Sequence, residues 1–519
     1  MTDSSVNTFP TRERIRAPRG VALTCKGWQQ EAALRMFLNS LDPEVAEHAA
    51  ETGYEAIVVA LRSLENDQTL VLQSGKLAGT FRTQEHAPRV LMVDTQNWMY
   101  AGMQGILARS FELFSAAARK HFGGNLAGKL VVSGGMGEMG GAHALAAALN
   151  GAAFLGIDVD PERIKRRVKA GYCDVMVNDL DESLRILKNA VRRREAASVG
   201  LVGNCADLIP RLAERGIVPD LLTDQTSAYD PINGYVPRGL DVRGAADLRQ
   251  HDPDEYRRRS LDSVVAQVRA MLELQKLGAI TFDSGNGIRA VAFEHGVKDA
   301  FEIHASAQDY IRQSLCEGRT PLEWVALSGE SSDIRRAEQL ALEIFPENEN
   351  LARWIRLVQK RVRFQGLPGR AGWFSYGEHA RFGLALNDLA ARGELKAPMA
   401  IVCDYGEWNA TPAHMKSEPR NDSKDSNSEG GVDWSSLIAS ITAASGATWV
   451  SIPDHANAGT GSEHDGRQGV VADGTPEMAT RIGRTLTNYS TWNIIRFAAA
   501  GYPAALEFAK KAGITIPNT

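Results

Sequence analysis

Residues 130–142 read LVVSGGMGEMGGA. An apolar run ends in Gly135-Met136-Gly137-Glu138-Met139-Gly140, an unbroken G-x-G-x-x-G, and an alanine-rich helical stretch follows. These residue types at this spacing suit a dinucleotide diphosphate. Gly135 permits a tight turn, Gly137 admits backbone close to phosphate, and Gly140 lets helix and strand pack together. The helix N-terminus then offers unpaired amides and the positive end of its dipole. A second apolar run, FLGIDVD, ends at Asp158. Its carboxylate is placed to accept from a ribose hydroxyl and to repel a 2′-phosphate, so the pattern reads as an NAD site rather than an NADP site.

The elements that must position these residues are legible around them. From about 126 to 228, strand-like runs (KLVVSG, AFLGIDV, CDVMV, SVGLVGN, PDLLTD) alternate with helical runs at 138–150, 160–170, 181–195 and 205–215. Such βαβ repetition implies a parallel sheet with right-handed crossovers. Asn204 and Gln225 follow apolar runs at predicted strand C-termini, where open α/β sheets hold ligands. Helices are predicted at 26–40, 51–65, 104–122, 253–277, 475–487 and 503–512, and a strand at ASGATWVSI. Residues 318–400 read as helices and loops, and residues 1–20 as a polar arm. The segment 409–433 is almost wholly polar and reads either as a surface loop or as a flap over a site.

A chain of 519 residues exceeds one ordinary core, so two or three domains are expected. A net charge of −5 argues against a general nucleic-acid surface. Five scattered cysteines with no C-x-x-C pair argue against a disulfide framework or a cysteine zinc site. No apolar leader and no run of 18 apolar residues is found, so a soluble, cytoplasmic protein with no membrane partner is expected. Asp454, His455, Glu463, His464 and Asp465 cluster, but their spacing fits no standard ligand pattern and no metal is expected.

Six stretches carry a family resemblance: IRAPRG at 15–20, LVLQSGK at 70–76, HFGGNLAGKLVVSGGMGEMGGAHALAA at 121–147, PDLLTDQTSAYDPINGY at 219–235, RFQGLPGR at 363–370 and SGATWVS at 445–451. In these, and in their order, the chain resembles the urocanases. The resemblance implies an α/β fold. A NAD-binding Rossmann-like parallel-sheet domain (106–316) would be set between N-terminal (1–105) and C-terminal (317–519) parts of a second α/β core domain, with a polar flap at 405–433. It implies a homodimer and a small imidazole acrylate as substrate. It also implies NAD⁺ bound tightly and not consumed. The nicotinamide ring draws electrons from the substrate imidazole, water adds to that ring, and a proton reaches the side chain to give an imidazolone propionate. Carried over by residue, the cofactor-binding set is Gly135, Gly137, Glu138, Met139, Gly140, Asp158, Arg163, Asn204, Cys205, Gln225, Thr226, Ser227, Ala228, Tyr229, Tyr235 and Val236. Trp98, Tyr100 and Gln104 match as well.

The chain departs from that family where substrate chemistry is expected. Glu138 stands for a glycine, Asp158 for a glutamate, Cys205 for an alanine and Tyr229 for a histidine. Gly372 stands for a cysteine, Ser284 for a tyrosine and Glu323 for an arginine. Phe497 and Ala499 replace a histidine and an aspartate. Carboxylates persist at Asp404 and Glu407, which are the candidate acid/base groups, Glu407 first. Lys416 or Arg420 could grip a substrate carboxylate, and Gly372, Ser284, His455 and Asn457 are candidate substrate contacts. Loss of volume at 372 and 284 leads to the expectation of a ring-substituted substrate such as thiourocanate or S-methylthiourocanate. Urocanate itself, an NAD-dependent dehydrogenation, and a non-catalytic NAD-binding role are the competing expectations.

Overall fold

The computed structural model describes residues 15–45, 54–73, 76–84, 86–94, 102–404, 434–453 and 466–516. The chain first lays down β1 (Gln68–Gln73), β2 (Lys76–Arg82) and β3 (Val90–Asp94). Seven strands follow: β4 (Leu130–Gly134), β5 (Ala153–Asp158), β6 (Val175–Val177), β7 (Ala197–Val202), β8 (Leu221–Asp224), β9 (Ile280–Asp283) and β10 (His304–Ala305). The last five are β11 (Thr320–Ala326), β12 (Gly369–Phe374), β13 (Met399–Asp404), β14 (Trp449–Pro453) and β15 (Arg467–Ala472). The middle seven form one sheet in the order β10-β9-β8-β4-β5-β7-β6, with every pair parallel. The first three and last five join in a mixed sheet, β12-β11-β13-β15-β14-β3-β1-β2. One Rossmann-like unit is thus inserted between two halves of another sheet.

Local chemistry explains the inserted unit. Its strands are covered by helices on both faces, and β5 is buried along its whole length, as a central parallel strand must be. Asp160, Asp179 and Asn204 each cap a following helix by accepting a second- or third-residue amide. From β4 the chain builds β5, β6 and β7 on one side, then crosses to β8 on the other. That reversal of strand order falls between β4 and β8, the position at which open α/β sheets hold ligands.

The helix Met103–Phe122 ties the two units together. It packs along the helix Glu138–Leu149, and its Phe111 ring lies 4.7 Å from Trp354 of the other unit. Buried Glu112 accepts from Arg319 at 2.8 Å. One continuous apolar core runs from Val131 and Phe154 to Trp324 and Phe374.

Several sequence expectations are corrected. Residues 15–20 are not a free arm: Ile15 and Ala17 are buried, and Gly20 N–H donates to the Ser328 carbonyl. The stretch 318–400 contains β11, β12 and the start of β13. The helix predicted at 475–487 runs from Pro476 to Ala499. The segment 409–433 lies outside the described residues.

Candidate active site

The three glycines of the fingerprint have three different surroundings. Gly135 has φ +78°, and a Cβ there would come within 2.5 Å of the Gln225 carbonyl. A Cβ on Gly140 would overlap the Gly135 carbonyl. A Cβ on Gly137 would meet no atom within 4 Å. The first two glycines therefore serve packing, and the third faces open space. Gly137 is also the N-cap of the helix Glu138–Leu149 and brings no capping side chain, so the start of that helix adjoins the open space. Met139 lies in its first turn. This is a cradle for an anionic, phosphate-like group, and it fits NAD⁺.

Around the cradle, several carried-over residues have partners within the protein. Asp158 is buried, and both its oxygens are engaged: Oδ2 accepts from Met136 N–H at 2.6 Å, and Oδ1 from Asp160 N–H at 2.9 Å. Burial raises its carboxyl above the usual range, against the pull of Arg163, whose guanidinium lies 3.9 Å away. Asn204 accepts from Ala206 N–H and donates to the Val236 carbonyl at 2.9 Å. Tyr235 is buried and donates its hydroxyl to Gln267 at 2.6 Å. The Cys205 thiol packs against the Ile157 carbonyl behind the turn, and burial holds it firmly protonated. Ala228 is fully buried, whereas Tyr229 is more than a third exposed. Gln225 donates to the Ser284 carbonyl at 2.9 Å, and Ser284 shares a 2.7 Å hydroxyl contact with Thr223. Ser227 lies in the turn beside them, and a Cβ on Gly234 would crowd it at 2.6 Å.

Sequence reasoning missed the carboxylate beneath this loop. Asp224 ends β8 and is fully buried, with Thr226, Gln267 and Asn286 donating to it. Its sequence signal was the aspartate closing PDLLTD, directly before the Gln225-Thr226-Ser227 string. Burial pushes its carboxyl up to about 6 despite those donors.

The second unit offers a different edge. Asp404, the last residue of β13, stands opposite Arg467, the first of β15. Pro453 at the end of β14 stands beside Asp94 at the end of β3. Glu323 on β11 is buried, and a Cβ on Gly105 would overlap its carboxylate. Gly372 lies inside β12, where a Cβ would meet Leu351 at 2.8 Å and Trp324 at 3.4 Å. The expected gain of pocket volume at 372 is therefore corrected: large apolar side chains already occupy that direction. Phe497 is likewise a core residue. Glu407, Lys416, Arg420, His455, Asn457, Trp98 and Tyr100 lie outside the described residues, as does the acidic and histidine cluster at 454–465.

Three family models match this chain. They are described as the urocanase N-terminal domain over residues 15–131, the urocanase Rossmann-like domain over 102–310 and the urocanase C-terminal domain over 313–511. The chain belongs to the urocanase family. As a urocanase-type protein it is a hydro-lyase, a hydratase of urocanate-type small molecules. In this urocanase no helix of the described residues is long and apolar enough to cross a membrane. Two of its histidines are buried and are not titrating groups near neutrality. Burial lowers His143, beside Ser133, and His379, beside Thr320, to about 4. These two histidines are therefore neutral near neutrality and poor proton-transfer groups there.

Proposed function

We propose that this urocanase is an NAD⁺-dependent hydratase whose substrate is a ring-substituted imidazole acrylate, such as thiourocanate or S-methylthiourocanate. The observation that carries the cofactor reading is the open side of Gly137 at the start of the helix Glu138–Leu149, where the strand order reverses between β4 and β8. When bound, NAD⁺ supplies an electron-poor ring toward the substrate imidazole. The protein's own residues do the rest. The first-turn amides of the helix Glu138–Leu149 hold the diphosphate, and Asp158 fixes the turn by accepting from Met136 N–H. Gln225 and Thr226 present polar groups at the end of β8. Asp404 and Glu407 are the acid/base pair in this reading: one takes a proton from the attacking water, and one delivers a proton to the side chain. Water's oxygen ends on the ring and the acrylate double bond is saturated, so no net oxidation occurs.

Ser284 supports the substituted substrate. It replaces the family tyrosine next to Gln225 and leaves a smaller side chain at the end of β9. One observation favours urocanate itself: at Gly372, Leu351 and Trp324 leave no added room. Parallel turnover of urocanate, 2-thiourocanate and S-methylthiourocanate by the purified protein decides between them. The proposal expects a sulfur-substituted compound to be hydrated much faster; equal or faster turnover of urocanate overturns it. We also read the protein as a homodimer, as the family resemblance implies, and as cytoplasmic.

A further inference from the structure

Asp224 is more than a polar residue caught in the core. In the parallel pairing it stands beside Gly134, immediately before the glycine turn, and a Cβ on Gly134 would overlap its carboxylate. Oδ2 accepts from Thr226 N–H at 3.0 Å, from the Thr226 hydroxyl at 2.5 Å and from the Asn286 amide. Oδ1 accepts from the Gln267 amide at 2.6 Å. Gln267 in turn accepts from Tyr235 O–H, and Asn286 also donates to the Thr226 carbonyl at 2.8 Å. These donors come from three segments distant in sequence: the loop after β8, the helix Pro253–Lys276 and the loop after β9. Four of these bonds end on the carboxylate, which is the common acceptor.

We propose that Asp224 is the positioning residue of the dinucleotide cradle, a buried acceptor that locks residues 225–236 and 284–286 against the glycine turn. The proposal rests on the NAD⁺ reading above and explains how that site is preset. The loop 225–235 is rich in turn formers and has no regular ladder of its own, so a shared acceptor supplies its order before ligand arrives. Gly134 is part of the same device, because only glycine leaves room for the carboxylate beside β4.

Two substitutions and two readouts test it. In Asp224→Ala the donors lose their acceptor. In Asp224→Asn the new amide can keep its oxygen toward Thr226 and Asn286. Gln267 then flips its own amide to accept from the new N–H and donates to the Tyr235 oxygen. Calorimetric titration with NAD⁺ should show a loss of at least about tenfold for Asp224→Ala, and about threefold or less for Asp224→Asn. Amide hydrogen exchange of the ligand-free proteins should rise at 225–236 and 284–286 in Asp224→Ala, with β5 and β7 unchanged. Wild-type affinity and wild-type exchange in Asp224→Ala overturn the proposal, as does loosening that spreads through β5 and β7. If Asp224→Ala does not fold, Thr226→Val removes one donor and should raise exchange at the same two segments; no change there overturns the proposal. Should the unaltered protein bind no NAD⁺, the cofactor reading fails, and the exchange pattern alone still decides whether Asp224 locks the loops.

Discussion

At the scale of single residues, the glycine motif divides into packing and binding roles, and the two can be told apart by measurement. Gly137 has an ordinary backbone conformation (φ −66°) and open space on its Cβ side. Gly137→Ala should leave the melting temperature of the ligand-free protein nearly unchanged and weaken NAD⁺ binding by about tenfold or more, because the methyl group enters the phosphate space. Gly135→Ala should do the reverse first. It places a side chain at φ +78° against the Gln225 backbone and should cost about 1–3 kcal/mol of stability. A thermal shift series with and without NAD⁺ separates the two; equal destabilisation by both contradicts the assignment. Gly372→Cys restores the family residue against Leu351 and Trp324. It should cost about 1–3 kcal/mol through overpacking and leave the ranking of substrates unchanged. A changed ranking would return Gly372 to the substrate pocket. The motif's spacing was readable from sequence because backbone demands on glycine are local. The engagement of Asp158 by the Met136 amide was not, because it depends on the turn folding back over the end of β5.

At the scale of elements, β4 to β8 of the parallel sheet were legible, whereas of the mixed sheet only β14 was. β4, β5 and β7 are near-continuous apolar runs followed by helical periodicity, which is the signature of strands covered on both faces, and β8 is a shorter apolar run before a turn-rich loop. β11 and β12 read TPLEWVA and GRAGWF, and β15 reads RQGVVA. Their charges, Glu323, Arg370 and Arg467, disguise them, yet these side chains are buried; Arg370 is paired with Glu338 at 2.5 Å. Long-range pairing satisfies Arg370, and no local window shows it. The helix Pro476–Ala499 outran its prediction because Asn488, Tyr489, Ser490 and Thr491 are modest helix formers, whereas packing holds them; Tyr489 O–H donates to the Pro321 carbonyl at 2.9 Å. One pH effect belongs to this scale. His379, on the helix Glu378–Ala391, contacts Thr320 of β11 at 2.9 Å, and burial lowers it to about 4. The unfolded chain therefore binds a proton there below about pH 6.5 that the folded chain refuses until about pH 4. Stability tied to this histidine is full above that window and is lost as pH falls through it. Denaturant titrations should show the unaltered protein losing on the order of 1 kcal/mol per pH unit more than His379→Asn between those limits. Parallel curves for the two proteins would contradict a neutral, buried His379.

At the scale of the whole molecule, the two sheets share one core rather than meeting at a polar seam. Val131 and Phe154 of the parallel sheet belong to the same buried cluster as Trp324 and Phe374 of the mixed sheet. The helix Met103–Phe122 lies between them with the Glu112–Arg319 ion pair in its path. Calorimetry should therefore give one unfolding transition, and two well-separated transitions would contradict the shared core. Glu112→Ala leaves the Arg319 guanidinium without that carboxylate and should lower this transition, with a cost of about 3–5 kcal/mol. The central claim concerns chemistry: a dinucleotide fold that serves hydration instead of hydride transfer. The most direct measurement follows, in one cuvette of purified protein, the ultraviolet absorbance of an imidazole acrylate and the absorbance of reduced nicotinamide. The account predicts loss of the acrylate chromophore over many turnovers with no accumulation of NADH. Formation of NADH in step with substrate loss, or an acrylate chromophore that persists for urocanate and both sulfur-substituted compounds, would contradict it.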